Sequence, residues 1–364
     1  MDHQLIWAVK AKSIANTRKK LAELSAREDL FDLSTVDTNS KEYRETVECF
    51  EKAKKMGAEI VTYIDELYPE KLRNINQPPA ILYVLGNPRI LKNVVFAGMV
   101  GSRHSDSYGI RMAETMAMEI GQTGAGIISG GAIGIDAASH RGALRAKGPT
   151  VAVLGSGLDK LYPKENKKLF REISESGGAV ITEYPFGMEP LPVNFPRRNR
   201  IIAALSTALV VVRAAKKSGS LITANQALDS GIAVFSVPGN IDDRLSGGTN
   251  ELIRDGAVPL LSAMDVIDEL VEKEPDFFVR EKEAWAEYKK PVYENAGKAE
   301  KKPDTTNLSE YEKEIVNIIA SGKATADLIE ENISFEPQRL TALLGMMEIK
   351  GIIKKGPDKK YMIQ

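Results

Sequence analysis

The stretch Met99–Asp136, MVGSRHSDSYGIRMAETMAMEIGQTGAGIISGGAIGID, decides the fold. An apolar run, Val94–Ala97, precedes it and is short enough to be a buried strand. Gly101, Ser102 and Arg103 follow, and then a helix-like run from Tyr108 to about Gln122. A second apolar run, Ile127 and Ile128, ends in Ser129, Gly130 and Gly131, and a second helix begins at about Ile135. Strand, small polar turn and helix occur twice in succession. Each turn can be plain βα punctuation. It can also be an anion cradle, because small residues let the backbone approach an anion and a helix N-terminus presents free N–H groups. The repetition, with an arginine in the first turn, favours phosphate.

The same alternation continues downstream. Thr150–Leu154, Ala179–Thr182, Ala208–Val212 and Ala233–Val237 read as strands, and Ile135–Ala146, Asn166–Ser174, Asn199–Leu205 and Ser220–Ser230 as helices. Strands apolar throughout and spaced by helices imply a mostly parallel sheet covered on both faces, a Rossmann-like doubly wound α/β fold over residues 57–270. Ala58–Tyr63 and Ile81–Leu85 add strands upstream, around a Pro-marked extended stretch. Residues 1–56 carry apolar positions at helical spacing, with Ser40 as a helix start, and read as a small helical N-terminal domain. Residues 271–305 are charged and proline-bearing and read as a linker. Residues 306–364 show three helical patterns and then two short strands, Ile352–Lys355 and Tyr361–Ile363, around Gly356–Pro357–Asp358. That is the order of a winged-helix domain.

Composition excludes several classes. The chain has 364 residues, 43% of them hydrophobic, and a formal net charge of −1. Nucleic-acid affinity must therefore come from a local patch. No apolar run reaches about 18 residues, so no membrane span is expected, and the opening MDHQLIWAVKAKS has no signal-peptide h-region. One cysteine, Cys49, precludes an internal disulfide. With three histidines a structural zinc site is not expected, and neither is any other metal. A reducing, cytoplasmic setting fits.

Two further stretches offer anion chemistry. FPRRNR, Phe195–Arg200, sets three guanidinium groups just before an apolar helix, and arginine forks match phosphate oxygens. A solvated basic turn or inter-domain salt bridges are the plainer alternative. KKSGSLIT, Lys216–Thr223, places glycine and hydroxyls at a strand-to-helix junction, where a serine can equally be a structural cap. VAVLGSGLD, Val151–Asp159, resembles a dinucleotide turn, but the sixth position is Lys160 and no acidic residue follows at ribose distance, so no nicotinamide cofactor is expected. There is no Gly-x4-Gly-Lys-Ser/Thr run for a P-loop. His104 and His140 could serve as acid or base, yet no nucleophile elbow or paired carboxylates accompany them, and His140 reads as a packing residue. From Thr306 on, eight Lys and Arg stand against nine Asp and Glu, so the tail has no electrostatic footprint, although Lys350, Lys354, Lys355, Lys359 and Lys360 could touch phosphates.

Taken together, these stretches resemble the DNA-processing protein A family, also called Smf. The resemblance runs from about Tyr68 to Leu270: YPEKL, PPAILYVLGN, VGSRHSDSYG, SGGAIGIDAASHRGAL, VAVLGSGLDKLYPKEN, EYPFG, FPRRNRIIAALS, KSGSLITANQAL, VPGNI and GGTNELIRDGA stand in that order. It implies a homodimeric, cytoplasmic, non-enzymatic protein without a cofactor. Such a protein binds single-stranded DNA without sequence preference and loads the strand-exchange recombinase, as in natural transformation. Carried over by motif, the DNA-binding residues would be Gly101, Ser102, Arg103, Ser107, Ser129, Gly130, Arg197, Arg198, Asn199, Lys217, Ser218, Gly219, Ser220 and Thr223. A line of such groups can follow a phosphate backbone without reading bases.

Two positions depart from the family pattern. Ile133 stands where the family usually has arginine, and Arg213 where it usually has glutamate. The second is expected to add a positive charge beside the KKSGS turn and to compensate the first. A rival from another class is a nucleotide phosphoribohydrolase of the lysine-decarboxylase-like type. Its Pro-Gly-Gly-x-Gly-Thr turn is split here between Pro238-Gly239-Asn240 and Gly247-Gly248-Thr249-Asn250-Glu251. A third possibility is an interaction scaffold with a vestigial pocket.

Overall fold

The structure, a computed structural model, describes residues 3–14, 17–281, 308–320, 325–336, 339–350, 352–355 and 361–363. Among these, nine strands form one sheet: β1 (Glu59–Thr62), β2 (Ile81–Gly86), β3 (Phe96–Val100), β4 (Gly126–Ser129), β5 (Thr150–Val153), β6 (Ala179–Thr182), β7 (Ser206–Val211), β8 (Ala233–Ser236) and β9 (Val258–Pro259). Their order is β1-β2-β6-β5-β4-β3-β7-β8-β9. Strands β3 to β9 pair in parallel, while β1 and β2 are antiparallel, to each other and, for β2, to β6.

Thirteen helices accompany the sheet: α1 (His3–Lys12), α2 (Arg18–Ser25), α3 (Lys41–Met56), α4 (Glu70–Arg73), α5 (Ile90–Asn93), α6 (Ser107–Gln122), α7 (Ile135–Arg145), α8 (Lys167–Glu175), α9 (Asn194–Leu205), α10 (Gly219–Asp229), α11 (Gly247–Arg254), α12 (Ala263–Lys273) and α13 (Pro275–Arg280). The strand period of two sorts the core into layers. Phe96 and Val100 of β3 and Leu209 and Val211 of β7 pack with Ile201 and Leu205 of α9 and Ala224 of α10. The alternate residues Ala97, Met99, Ala208 and Val210 pack against Ala117 of α6, Ala138 of α7 and Val266 of α12. Strands buried on both faces need apolar side chains at every position, and that is why these runs do not alternate.

Residues Met1–Lys289 make one compact unit and Lys290–Gln364 a second. The helices of residues 1–56 belong to the first unit. Trp7 is fully buried, donates its indole N–H to the Ala80 carbonyl at 2.9 Å and stacks on Tyr63. Ser40 caps α3 as expected, its hydroxyl accepting from the Tyr43 N–H at 3.1 Å. The segment read as a linker from 271 begins with structure instead. Here α12 runs to Lys273, and α13 follows with Phe277 and Phe278 buried. The charge pattern around these two aromatics concealed them. The remainder, 282–305, lies outside the described residues.

The second unit has helices Glu310–Ala320, Ala326–Glu330 and Leu340–Ile349, then antiparallel strands Ile353–Lys355 and Tyr361–Ile363. Ser309 and Glu312 cap its first helix reciprocally, and Lys350 pairs with Glu312 at 2.8 Å. The turn 356–358, with Lys359 and Lys360, lies outside the described residues.

His140 is fully buried on α7. Thr150 donates its hydroxyl proton to the Ile127 carbonyl at 2.9 Å, so the same oxygen must accept from His140 Nδ1 at 2.8 Å. That places a proton on Nδ1 of His140. Burial, with the Arg198 and Arg141 charges adding to it, pulls its pKa down to about 3. The unfolded imidazole titrates near 6.5, so the unfolded chain binds an extra proton between these values. Stability is complete above about pH 6.5 and is lost as the pH falls below it. Between pH 7 and pH 5 urea unfolding should lose about 2 kcal/mol to this group. His140→Phe should remove that component, and an unchanged pH slope in the variant would show that another group carries it.

Candidate functional site

Strand β3 ends at the topological switch point. The chain leaves it through α6 to β4 on one side, while β7 lies on the other. Open parallel sheets hold ligands in this crevice. The two glycine turns meet here backbone to backbone. The Ser102 N–H donates to the Arg213 carbonyl at 2.7 Å, and the Ile135 N–H to the Ser102 carbonyl at 3.2 Å. Gly134 has φ +81°, and a Cβ there would lie 2.4 Å from the Ser102 oxygen and 2.6 Å from that of Arg103. A Cβ on Gly101 would meet the Ile135 side chain at 2.6 Å. Both positions therefore require glycine.

Above these turns lies a cleft of about 580 Å³. Gly101, Ser102 and Arg103 form one wall, and Ser218, Gly219, Ser220 and Thr223 at the start of α10 form another. Arg198 and Asn199 of α9 reach it from behind. Ser218 is extended and caps α10, its hydroxyl accepting weakly from the Ser220 N–H at 3.4 Å and lying 2.7 Å from the Ser220 hydroxyl. The structural cap and the open polar wall are thus the same residues. Gly219 is exposed, with nothing within 4 Å of where its Cβ would sit. Arg103 is exposed, and no carboxylate pairs with it among the described residues; its guanidinium carbon lies 5.3 Å from the Phe195 ring centroid. Tyr162 stands 5.7 Å from Phe195, and Pro190, Pro192 and Pro196 complete an apolar wall. The motifs did not single out this wall, because Tyr162 and Phe195 are far apart in the sequence.

The other expected site residues lie elsewhere, for identifiable reasons. FPRRNR is not a turn ahead of a helix, because α9 begins at Asn194 and contains it. Pro196 is tolerated there since first-turn N–H groups have no intrahelical partner. On a helix consecutive residues diverge by about 100°, so the three guanidinium groups part. Arg197 is exposed toward a neighbouring cleft, and Arg200 pairs with Glu183, Nη2 to Oε2 at 2.7 Å. Arg198 turns inward, 4% exposed, and donates to the carbonyls of Gly130, at 2.8 Å, and Val153. Asp136, also buried, lies beside it and accepts from the Ala132 N–H at 3.3 Å. Burial pushes the Asp136 carboxyl up, and the Arg198 charge opposes this. The second glycine turn is thereby occupied by the protein's own guanidinium and carboxylate, both of which crowd against Gly130. Ser129 is buried and donates to the Met99 carbonyl at 2.6 Å, and Gly130 gives its carbonyl to Arg198. Ser107 opens α6 outside the cleft, and Lys217 is exposed beyond its rim.

Arg213 does not present the positive charge expected of it. It is 3% exposed, and its guanidinium binds Asp106 at 2.6 Å, Asp243 and Ser246. A guanidinium buried at the end of a strand must be paired, so its charge is consumed internally. It does not replace a charge at Ile133. The halves of the split turn do meet: the Gly239 N–H donates to Asn250 Oδ1 at 3.1 Å, and Asn250 Nδ2 to the Gly239 carbonyl at 2.9 Å. Glu251, however, pairs with Arg254 at 3.1 Å and does not line the cleft. Among the described residues no group of three His, Cys, Asp or Glu side chains could hold a metal ion, and no helix is long and apolar enough to cross a membrane.

The model of one protein family, DNA recombination-mediator protein A, matches residues 59–271, more than half of the chain. This chain belongs to the DNA recombination-mediator protein A family. It is 38% identical to DNA processing protein DprA of Bacillus subtilis over 220 residues, 60% of this chain and 74% of that one. Among solved structures it is similar to DNA processing protein A of Streptococcus pneumoniae, with TM-score 0.61 and 34% identity over 74% of this chain and 98% of that one. It is also similar to DNA processing protein A of Helicobacter pylori, whose structure describes a single-stranded DNA binding mode. There the TM-score is 0.54 and the identity 30%, over 59% of this chain and 97% of that one. The family match covers the sheet, so the switch-point cleft lies within it.

The internal role of Arg198 is testable. Arg198→Met leaves two buried carbonyls without their donor and Asp136 without a neighbouring opposite charge, and should cost about 3 kcal/mol of unfolding free energy in urea. A cost below about 1 kcal/mol would contradict the geometry.

Proposed function

We propose that the chain binds single-stranded DNA, without sequence preference, in the switch-point cleft. The observation that carries this is the juxtaposition of an unpaired guanidinium, the open start of α10 and an apolar aromatic wall around one crevice. Phosphate suits the first two. Arg103 supplies charge, while the Ser218–Ser220 hydroxyl pair and the N–H group at Gly219 supply neutral donors. The third suits the face of a base, which aromatic side chains stack upon whatever the base. Nothing in the wall has the paired donors and acceptors that base-edge readout requires.

The Helicobacter pylori relative, described with single-stranded DNA, supports the ligand class, and the family's description supports a mediator of recombination. In this reading the chain acts as a homodimer in the cytoplasm and delivers the strand to the strand-exchange recombinase. It catalyses no reaction, since the carboxylate at the cleft, Asp136, is buried against Arg198. The second unit is taken as a winged helix. Its first helix leaves Glu310 exposed and Glu314 partly so, which suits a protein contact better than a phosphate backbone.

Titrating a fluorescent oligo-dT at several salt concentrations tests the proposal. Arg103→Ala should weaken binding and lower the slope of log affinity against log salt by about 0.7, one phosphate contact on a single strand. Tyr162→Ala should weaken binding by about 1 kcal/mol at every salt concentration and leave the slope unchanged. Unaltered affinity and slope in folded Arg103→Ala would overturn the site.

A further inference from the structure

A second cleft, of about 720 Å³, lies on the other side of Pro196, a residue that lines both. Thr17 and Gln77 form one wall, Glu183 and Tyr184 another, and Arg197, Arg200 and Gln226 complete it. We propose that this cleft is a second nucleotide subsite. It seats the part of a DNA single strand that continues from the switch-point cleft, with Arg197 on its phosphate. The proposal rests on the single-strand function argued above.

Three observations carry it. The first is charge. Glu183 is neutralised by Arg200, with contacts at 2.7 Å and shorter between carboxylate and guanidinium, and both side chains are largely buried. That leaves Arg197, exposed and without a carboxylate partner among the described residues, as the net charge of the cleft. An anion is the ligand that such a cleft accepts.

The second is continuity. Arg197 and Arg198 are adjacent on α9 but turn to opposite sides of the Pro196 lip. Arg103 in one cleft and Arg197 in the other are therefore two separate phosphate stations on one surface. A repeating polyanion occupies both, whereas a free mononucleotide occupies one.

The third is unmet hydrogen bonding. Gln226 Oε1 is buried and has no donor partner, and an unsatisfied buried acceptor is unfavourable until a donor reaches it. The Tyr184 hydroxyl is committed to the Asn194 carbonyl at 3.2 Å, which fixes its ring along the wall for a base to lie against. Thr17 caps α2, and the neighbouring Arg18 N–H donates to the Asn76 carbonyl at 3.0 Å, so the N-terminal helices are fastened where they complete the cleft. This gives the N-terminal helices a part in DNA binding that their sequence does not announce.

The experiment uses the full chain and oligo-dT of increasing length, from two nucleotides upward, with wild type, Arg197→Ala, Arg197→Glu and Arg103→Ala. Wild-type affinity should rise with length as the second cleft fills. Arg197→Ala should bind the shortest oligonucleotides like wild type and lose about tenfold on the longer ones, and Arg197→Glu should lose more. Arg103→Ala should weaken every length. If Arg197→Ala and Arg197→Glu match wild type at all lengths while Arg103→Ala is weak, the second subsite is wrong and the first stands. If Arg103→Ala also matches wild type, or wild type binds no oligo-dT, the single-strand function fails and this proposal with it. Arg197 is a surface side chain without a side-chain partner among the described residues, so its variants fold, and an unchanged urea midpoint checks this.

Discussion

The guanidinium of Arg198 is the constraint on which the site depends. It sits among the carboxyl ends of the central strands, donating to Gly130 after β4 and to Val153 at the end of β5, with Asp136 of α7 beside it. Carbonyls at strand ends have no further ladder partner, and a buried carbonyl without a donor is costly. One guanidinium satisfies two of them, and its charge faces the neighbouring Asp136 carboxylate. It thereby ties α9, α7, β4 and β5 at one point. The orientation of α9 follows from this, and with it the positions of Phe195 in the first cleft and Arg197 in the second.

The same economy separates the arginines into two kinds. Arg198, Arg200 and Arg213 are buried or nearly so, and each has carboxylates or carbonyls around it. They hold elements together: Arg200 joins α9 to the end of β6, and Arg213 joins β7 to the start of α6 and to the loop before α11. Arg103 and Arg197 are exposed and lack carboxylate partners among the described residues. A charge whose solvation is already replaced by protein cannot be offered to a ligand without breaking structure, whereas an exposed one can. Overall charge is therefore a poor guide here. A chain of net charge −1 still leaves Arg103 and Arg197 exposed at two adjoining clefts, because internal carboxylates and carbonyls take up the buried guanidinium groups.

Much of this was legible before any coordinates. The β3 and β4 turns, the apolar strands of a two-faced parallel sheet, the cap at Ser40 and the three helices and hairpin of the second unit all follow from local pattern, since each depends on residues within a few positions of one another. Other features were not. The start of α9 at Asn194 was hidden by Pro196, which usually marks a boundary but is allowed in a first turn. Helix α13 was hidden among charges. The fate of Arg213 was set by Asp106 and Asp243, 107 and 30 positions away in the chain. The aromatic wall joins Tyr162 to Phe195 across 33 positions, and no local pattern connects them.

The sequence by itself determined the doubly wound sheet, the family, and the two glycine turns at its carboxyl edge. Apolar periodicity and glycine placement are local properties, and they specify which groups come to the carboxyl edge. Only the tertiary structure decided which cations remain available there. A guanidinium's partners are chosen by the folding together of distant segments: Arg198 and Arg213 are taken up by carbonyls and carboxylates, while Arg103 and Arg197 are left facing two adjoining clefts.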